Sequence, residues 1–124
     1  MKLRIQENLL RLRLTQKEVA CLHHHNLVEC AIRFPSGREL CYSVASLPYA
    51  SEVSVDYEDD SISVALPSAA VTAWAESGQV SVEGFQLGVR ILVEKDFQCL
   101  HEPGERDPDA YPHPLAPIKK QPAV

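Results

Sequence analysis

Long apolar runs are missing from this chain of 124 residues. A membrane-spanning helix needs roughly 20 apolar residues in succession, so none is expected within it. The first residues hold no charged stretch followed by an apolar core, which predicts a cytoplasmic protein and not a secreted one. Paired cysteine spacing is missing as well. Cys21, Cys30, Cys41 and Cys99 form no C-x-x-C, and in a reducing compartment such thiols are expected to serve as small core groups. There is no G-x-S-x-G elbow, no P-loop and no dinucleotide fingerprint. The usual routes to nucleophilic and nucleotide chemistry are therefore absent, and the sequence favours binding over catalysis. Positive charge is also short, with 12 Lys and Arg against 17 Asp and Glu and a net charge of −5. An acidic chain gains little from counterion release, so neither nucleic acid nor a membrane is an expected partner.

What is present is an ordinary globular mixture, 45% apolar and 23% charged, enough for a core. The charge is unevenly spread. Residues 1–20 hold Lys2, Arg4, Arg11, Arg13 and Lys17 against Glu7 and Glu18, whereas residues 51–110 are strongly acidic. Six of the nine prolines fall in residues 103–124. Proline removes a backbone donor and breaks helices, so regular structure is expected to stop there. The division is a single domain over residues 1–98 and an acidic, then proline-rich, arm over 99–124.

Apolar residues alternate with polar ones in Leu10–Leu14, Leu40–Val44, Val53–Tyr57, Ile62–Leu66, Val80–Val82 and Val89–Val93, the period of a half-buried strand. Two segments break the alternation. Thr15-Gln-Lys-Glu18 is a capping box, followed by Val19 and Leu22 at helical spacing. Pro67-Ser-Ala-Ala70 opens a second helix, with Val71 and Trp74 three apart and Gly78 as its expected C-cap. An offset of 52 residues superposes these features: Glu7-Asn8 on Asp59-Asp60, Leu12 on Val64, Thr15 on Pro67, Val19 on Val71, Leu22 on Trp74, Asn26 on Gly78 and Val28 on Val80. The expected fold is α+β. A strand–strand–helix–strand–strand unit occurs twice, and eight mostly antiparallel strands close into a barrel or form a strongly curved sheet, with two short helices.

Two such halves around eight antiparallel strands resemble the CYTH, or triphosphate tunnel, fold over residues 2–97. That resemblance implies an interior able to hold a phosphorylated ligand. The first-strand E-x-E-x-K motif of those enzymes is absent, since the segment here is Lys2-Leu-Arg-Ile-Gln-Glu-Asn8. Leu10–Val19, Val89–Leu100 and the stretch ending Asp109-Ala-Tyr-Pro-His-Pro114 resemble the shared blocks of a small bacterial family with no assigned activity.

The polar positions of the strands supply the candidate anion site: Lys2, Arg4, Arg11, Arg13, Arg33 and Arg90. Facing a tunnel, they would hold a phosphate or carboxylate by forked contacts; facing out, they form a solvated sheet face. Asp56, Glu83 and Glu94 share those polar faces, either to hold a divalent metal beside a phosphate or to pair with the arginines. His23-His24-His25 end the first helix, where its dipole favours imidazolium. Cys99, His101, Glu105 and Asp109 form the candidate metal set, with C-x-H able to present two ligands on one side of an extended chain. Three readings stand. The first is a non-catalytic module holding a small phosphorylated or carboxylated anion in a barrel cavity. The second is a protein-interaction module using the proline-rich arm. The third is a divergent phosphohydrolase dependent on a divalent metal, the one cofactor the sequence suggests.

Overall fold

The computed structural model describes residues 1–97. Within them the chain runs β1 (Lys2–Gln6), β2 (Leu9–Leu14), α1 (Gln16–His25), β3 (Leu27–Arg33), β4 (Glu39–Leu47), β5 (Ser54–Glu58), β6 (Ser61–Pro67), α2 (Ser68–Ala75), β7 (Ser81–Gln86) and β8 (Val89–Lys95). The order ββαββ thus occurs twice. Thr15 begins α1 as expected: its side chain accepts from the Glu18 N–H, and the Glu18 carboxylate accepts from the Thr15 N–H. Asn26 ends it in the left-handed conformation, at φ 66°.

The strands pair differently from the expected barrel. They form two four-stranded sheets, ordered β1-β2-β8-β7 and β3-β4-β6-β5. The described residues are predominantly β, and among them there is no single eight-stranded barrel or sheet. The cause is parallel pairing at both sheet centres, β2 with β8 and β4 with β6. Each sheet therefore takes one antiparallel hairpin from each half of the chain. Hairpins β1–β2 and β7–β8 make the first sheet; β3–β4 and β5–β6 make the second. Exchanging the halves exchanges the sheets.

One core lies between the sheets and beneath the helices. Leu10, Leu12, Leu14, Ile91 and Val93 enter it from the first sheet, and Val28, Val44, Val64 and Leu66 from the second. Val19 and Leu22 of α1 and Val71 and Trp74 of α2 are buried against them, as their spacing predicts. The helices pack on each other where β2, β4, β6 and β8 end. The hairpin turns lie at the opposite end. Glu7 and Asp59, 52 residues apart, both hold positive φ, at 52° and 51°.

The internal repeat slips after the helices. Val28 corresponds to Val82, since each is buried and pairs with a buried valine (Val44 and Val93). Val80, the expected match, is 50% exposed. The second helix ends at Glu76 with φ −97°, and Gly78 is not in the left-handed region. A longer connection after α2 replaces the single left-handed residue after α1, and this moves the register by two.

Candidate cationic face of the first sheet

Strand register decides where the predicted cations go. Lys2 stands directly across from Arg13, and Arg4 directly across from Arg11. The parallel pairing then sets Arg13 beside Glu94, Arg11 beside Leu92 and Leu9 beside Arg90. On β7 the same rows end in Ser81, Glu83 and Phe85. Because Leu10, Leu12, Leu14, Ile91 and Val93 occupy the core side, this alternate set faces outward. Five of the six predicted cations share one sheet face. Arg33 does not join them, since it ends β3 in the second sheet, opposite Glu39.

The same register keeps these side chains out of the interior. The space between the sheets is packed with Leu, Ile, Val and Trp, so the arginines line no internal tunnel. A barrel cavity for a small anion is therefore not formed.

Carboxylates neutralise part of the outer face. Arg13 Nε donates to Glu94 Oε1 at 2.7 Å, and Arg11 Nε lies 3.3 Å from the same oxygen. The Arg11 Nε–H is buried and completes no hydrogen bond among the described residues. Lys2 reaches Asp96 at 3.0 Å, and Arg90 lies 3.8 Å from Glu83. Among the described residues no carboxylate pairs with Arg4. Like charges directly opposite on neighbouring strands are destabilising. Lys2 across from Arg13 and Arg4 across from Arg11 are two such pairs side by side.

The face also carries apolar surface. Leu92 points outward yet is only 8% exposed, and it lies outside the main core cluster. Its row neighbours Arg11 and Glu83 have stems long enough to cover it. Phe85, in the next row, is 72% exposed. The cations, with Glu83 and Glu94 as their partners, are legible from strand alternation, whereas Leu92, Phe85 and Asp96 are members of the face that it does not mark. Leu92 sits within the apolar run Ile91-Leu-Val93, which hides its direction, and Asp96 lies past the last strand, where alternation carries no signal.

The other predicted clusters do not converge. Asp56 is on the second sheet, across from Ser63. Glu83 and Glu94 are engaged with arginines, and no group of three or more His, Cys, Asp and Glu among the described residues is placed to hold a metal. Cys99, His101, Glu105 and Asp109, with the arm 99–124, lie outside the described residues. His23 bridges the helices through Glu76 of α2's C-cap at 3.0 Å. A cleft of about 770 Å³ opens beside it, bounded by Leu14, Val19, Ala75, Lys95 and Phe97, and none of the six predicted cations lines it. At the hairpin end, the Arg38 guanidinium bonds Asp60 at 2.5 Å, which holds that carboxyl below the usual carboxylate range.

A family model described as a family of unknown function (DUF7009) matches residues 1–115. No curated protein matches the chain, and no solved structure does.

Proposed function

The chain belongs to DUF7009, a family of unknown function, and we propose that it is a non-catalytic protein-interaction module that binds an acidic partner segment on the outer face of its first sheet. The observation that carries this reading is the pair of like-charged rows, Lys2 with Arg13 and Arg4 with Arg11, on one face. Holding these cations together opposes folding unless negative charge covers them. Glu94 and Asp96 supply part of that charge.

A sheet's outer face is flat, and a small anion there would stay in contact with water. An extended acidic polypeptide suits it better, because several carboxylates engage several guanidinium groups at once. Leu92 and Phe85 add apolar contact in the same rows, and a mixture of arginine and aromatic surface is typical of interaction sites. The packed interior favours this reading over an enclosed ligand.

The test is fluorescence anisotropy with a labelled decaglutamate peptide. The expected result is binding that weakens as salt rises. Replacing Arg11 and Arg13 by Gln should reduce affinity by at least about tenfold, a loss of about 1.4 kcal/mol. Affinity unchanged in a variant that keeps the native circular dichroism spectrum would overturn the reading.

A further inference from the structure

The outer faces of the two sheets occupy equivalent positions of the internal repeat and carry opposite chemistry. The offset that sets Leu12 on Val64 also sets Arg4 on Asp56, Arg11 on Ser63 and Arg13 on Ala65. The parallel pairs extend the match to the other central strands. Leu9 stands beside Arg90 as Ser61 stands beside Cys41, and Arg11 stands beside Leu92 as Ser63 stands beside Ser43. Arg13 stands beside Glu94 as Ala65 stands beside Ala45. At the centre of the first sheet the outward side chains are long; at the centre of the second they are small.

Buried Val28, Val44, Val64 and Leu66 fix which residues of the second sheet face out. Cys41, Ser43 and Ala45 of β4 and Ser61, Ser63 and Ala65 of β6 form a low floor two strands wide. Acid borders that floor on both sides. Glu29 of β3 stands across from Ser43, while Asp56 and Glu58 of β5 stand across from Ser63 and Ser61. These three residues are exposed, and none of their carboxylates forms an ion pair among the described residues. Among the outward strand positions of this sheet Arg33 is the one cation, and it stands across from Glu39. The second face is acidic where the first is basic.

We infer that the acidic partner of the cationic face is a second copy of this chain, docked through the outer face of its second sheet. This rests on the proposed role of the cationic face and names its partner. The charge excess of the two faces is opposite in sign. Their shapes also match, because the long side chains of β2 and β8 meet a floor of Ser, Ala and Cys. Spacing agrees as well: Arg11 and Arg13 are two residues apart on one strand, as are Asp56 and Glu58, about 7 Å in each case. Both sheets have the same strand pairing, so two copies can stack as aligned sheets do, about 10 Å apart.

The sign of the charge selects the symmetry. A two-fold dimer through either face would set like charges against each other. The two faces lie on opposite sides of one core, so the favourable contact is head-to-tail and leaves one face of each kind open. Copies therefore add in a row. A four-stranded face is about 20 Å wide and about 20 Å long, small for a protein interface, so the contact is weak and the row grows with concentration.

The experiment is sedimentation velocity on the full chain over a concentration series at low salt. The expected sedimentation coefficient rises with concentration past the dimer value, and returns to the monomer value at about 0.5 M salt or with excess decaglutamate. Two full-length variants separate the faces, Arg4→Gln with Arg90→Gln and Asp56→Asn with Glu58→Gln. All four substituted residues are exposed, and circular dichroism checks that each variant is folded. Each variant alone should associate at least about tenfold more weakly than the parent protein. Their equimolar mixture should form dimers and stop there, because each supplies the face the other lacks. A parent protein that stays monomeric, or stops at the dimer, overturns this assembly. So does a mixture that stays monomeric, or a folded variant that associates as strongly as the parent. Decaglutamate binding by a parent protein that never associates would leave the acidic-partner reading standing and remove the second copy as the partner. Association with the expected variant pattern, but without decaglutamate binding, would remove the free acidic peptide and leave the assembly standing.

Discussion

Gly84 of β7 lies directly against Val53, the residue that leads into β5, so closely that a Cβ at position 84 would overlap both Cβ and Cγ1 of Val53. The contact joins an edge strand of each sheet. Two residues further along β7, the Gln86 side chain accepts the Val55 N–H at 2.8 Å. A side chain and a bare backbone thus bridge the edges where a ladder would have closed a barrel. Gly84 keeps an ordinary negative φ, so space and not backbone freedom requires glycine here.

Gly84→Ala should therefore destabilise the fold by about 1–3 kcal/mol through overpacking. Urea midpoints measure it. Val53→Gly removes the opposing Cβ, and a double-mutant cycle should give a coupling of about 1 kcal/mol. Additive effects would mean the two residues do not compete for the same space.

Trp74 is fully buried, and its Nε1–H donates to the Val80 carbonyl at 2.9 Å, which ties α2 to the connection before β7. Trp74→Ala should cost about 3–5 kcal/mol. Trp74→Phe retains most of the apolar volume and loses the hydrogen bond, so it should cost less, about 1–3 kcal/mol. An equal loss from both substitutions would assign the effect to the hydrogen bond.

Glu94 and Glu83 offer a contrast on one face. Glu94 is largely buried and serves Arg11 and Arg13 together, whereas Glu83 and Arg90 are both exposed and 3.8 Å apart. Glu94→Gln should destabilise by about 1–2 kcal/mol, because two arginines lose their shared counter-charge. Glu83→Gln should stay within about 0.5 kcal/mol. Thermal unfolding at low and high salt distinguishes them, with the Glu94 effect the less screened.

Acid should reach the protein partly through Glu18. Burial pushes this carboxyl up, but hydrogen bonds from the Met1 ammonium and the Thr15 N–H outweigh it, and its pKa falls below the usual value. The unfolded chain then takes up the proton first. The contribution of Glu18 to stability is present above the unfolded carboxyl pKa and is lost as pH falls through the folded one. Glu18→Gln, which can still complete the capping box, should flatten the decline in urea midpoint between about pH 5 and pH 3. A decline as steep as in the parent protein would place the acid sensitivity elsewhere.

Local features were the legible ones. The capping box at Thr15, the left-handed Asn26 and the paired turns at Glu7 and Asp59 each depend on residues close in sequence, and each forms. Strand alternation also showed correctly that Arg11 and Arg13 share a face. Strand direction was not legible, because a period of two is the same in parallel and antiparallel pairs. The expected barrel failed at that point, with β2–β8 and β4–β6. The placement of the arginines followed from it: a closed tunnel would have had room for them, but two sheets packed on Leu12, Leu14 and Val93 do not. Gly78 misled for a different reason. Glycine permits a left-handed cap without demanding one, and α2 stops two residues earlier.

The exchange of hairpins between halves also bears on how the protein is made. Arg13 and Glu94 are 81 residues apart in the chain, and they meet on adjacent central strands. A ribosome adds about 5–20 residues each second, so β2 waits several seconds in the growing chain before β8 exists to cover its open side. The N-terminal half cannot finish either sheet from its own residues. Its two hairpins, β1–β2 and β3–β4, go to different sheets and leave an unmatched strand in each. Completion of the first sheet waits for the last described strand, so a nascent chain halted midway would present two open strand edges to its neighbours.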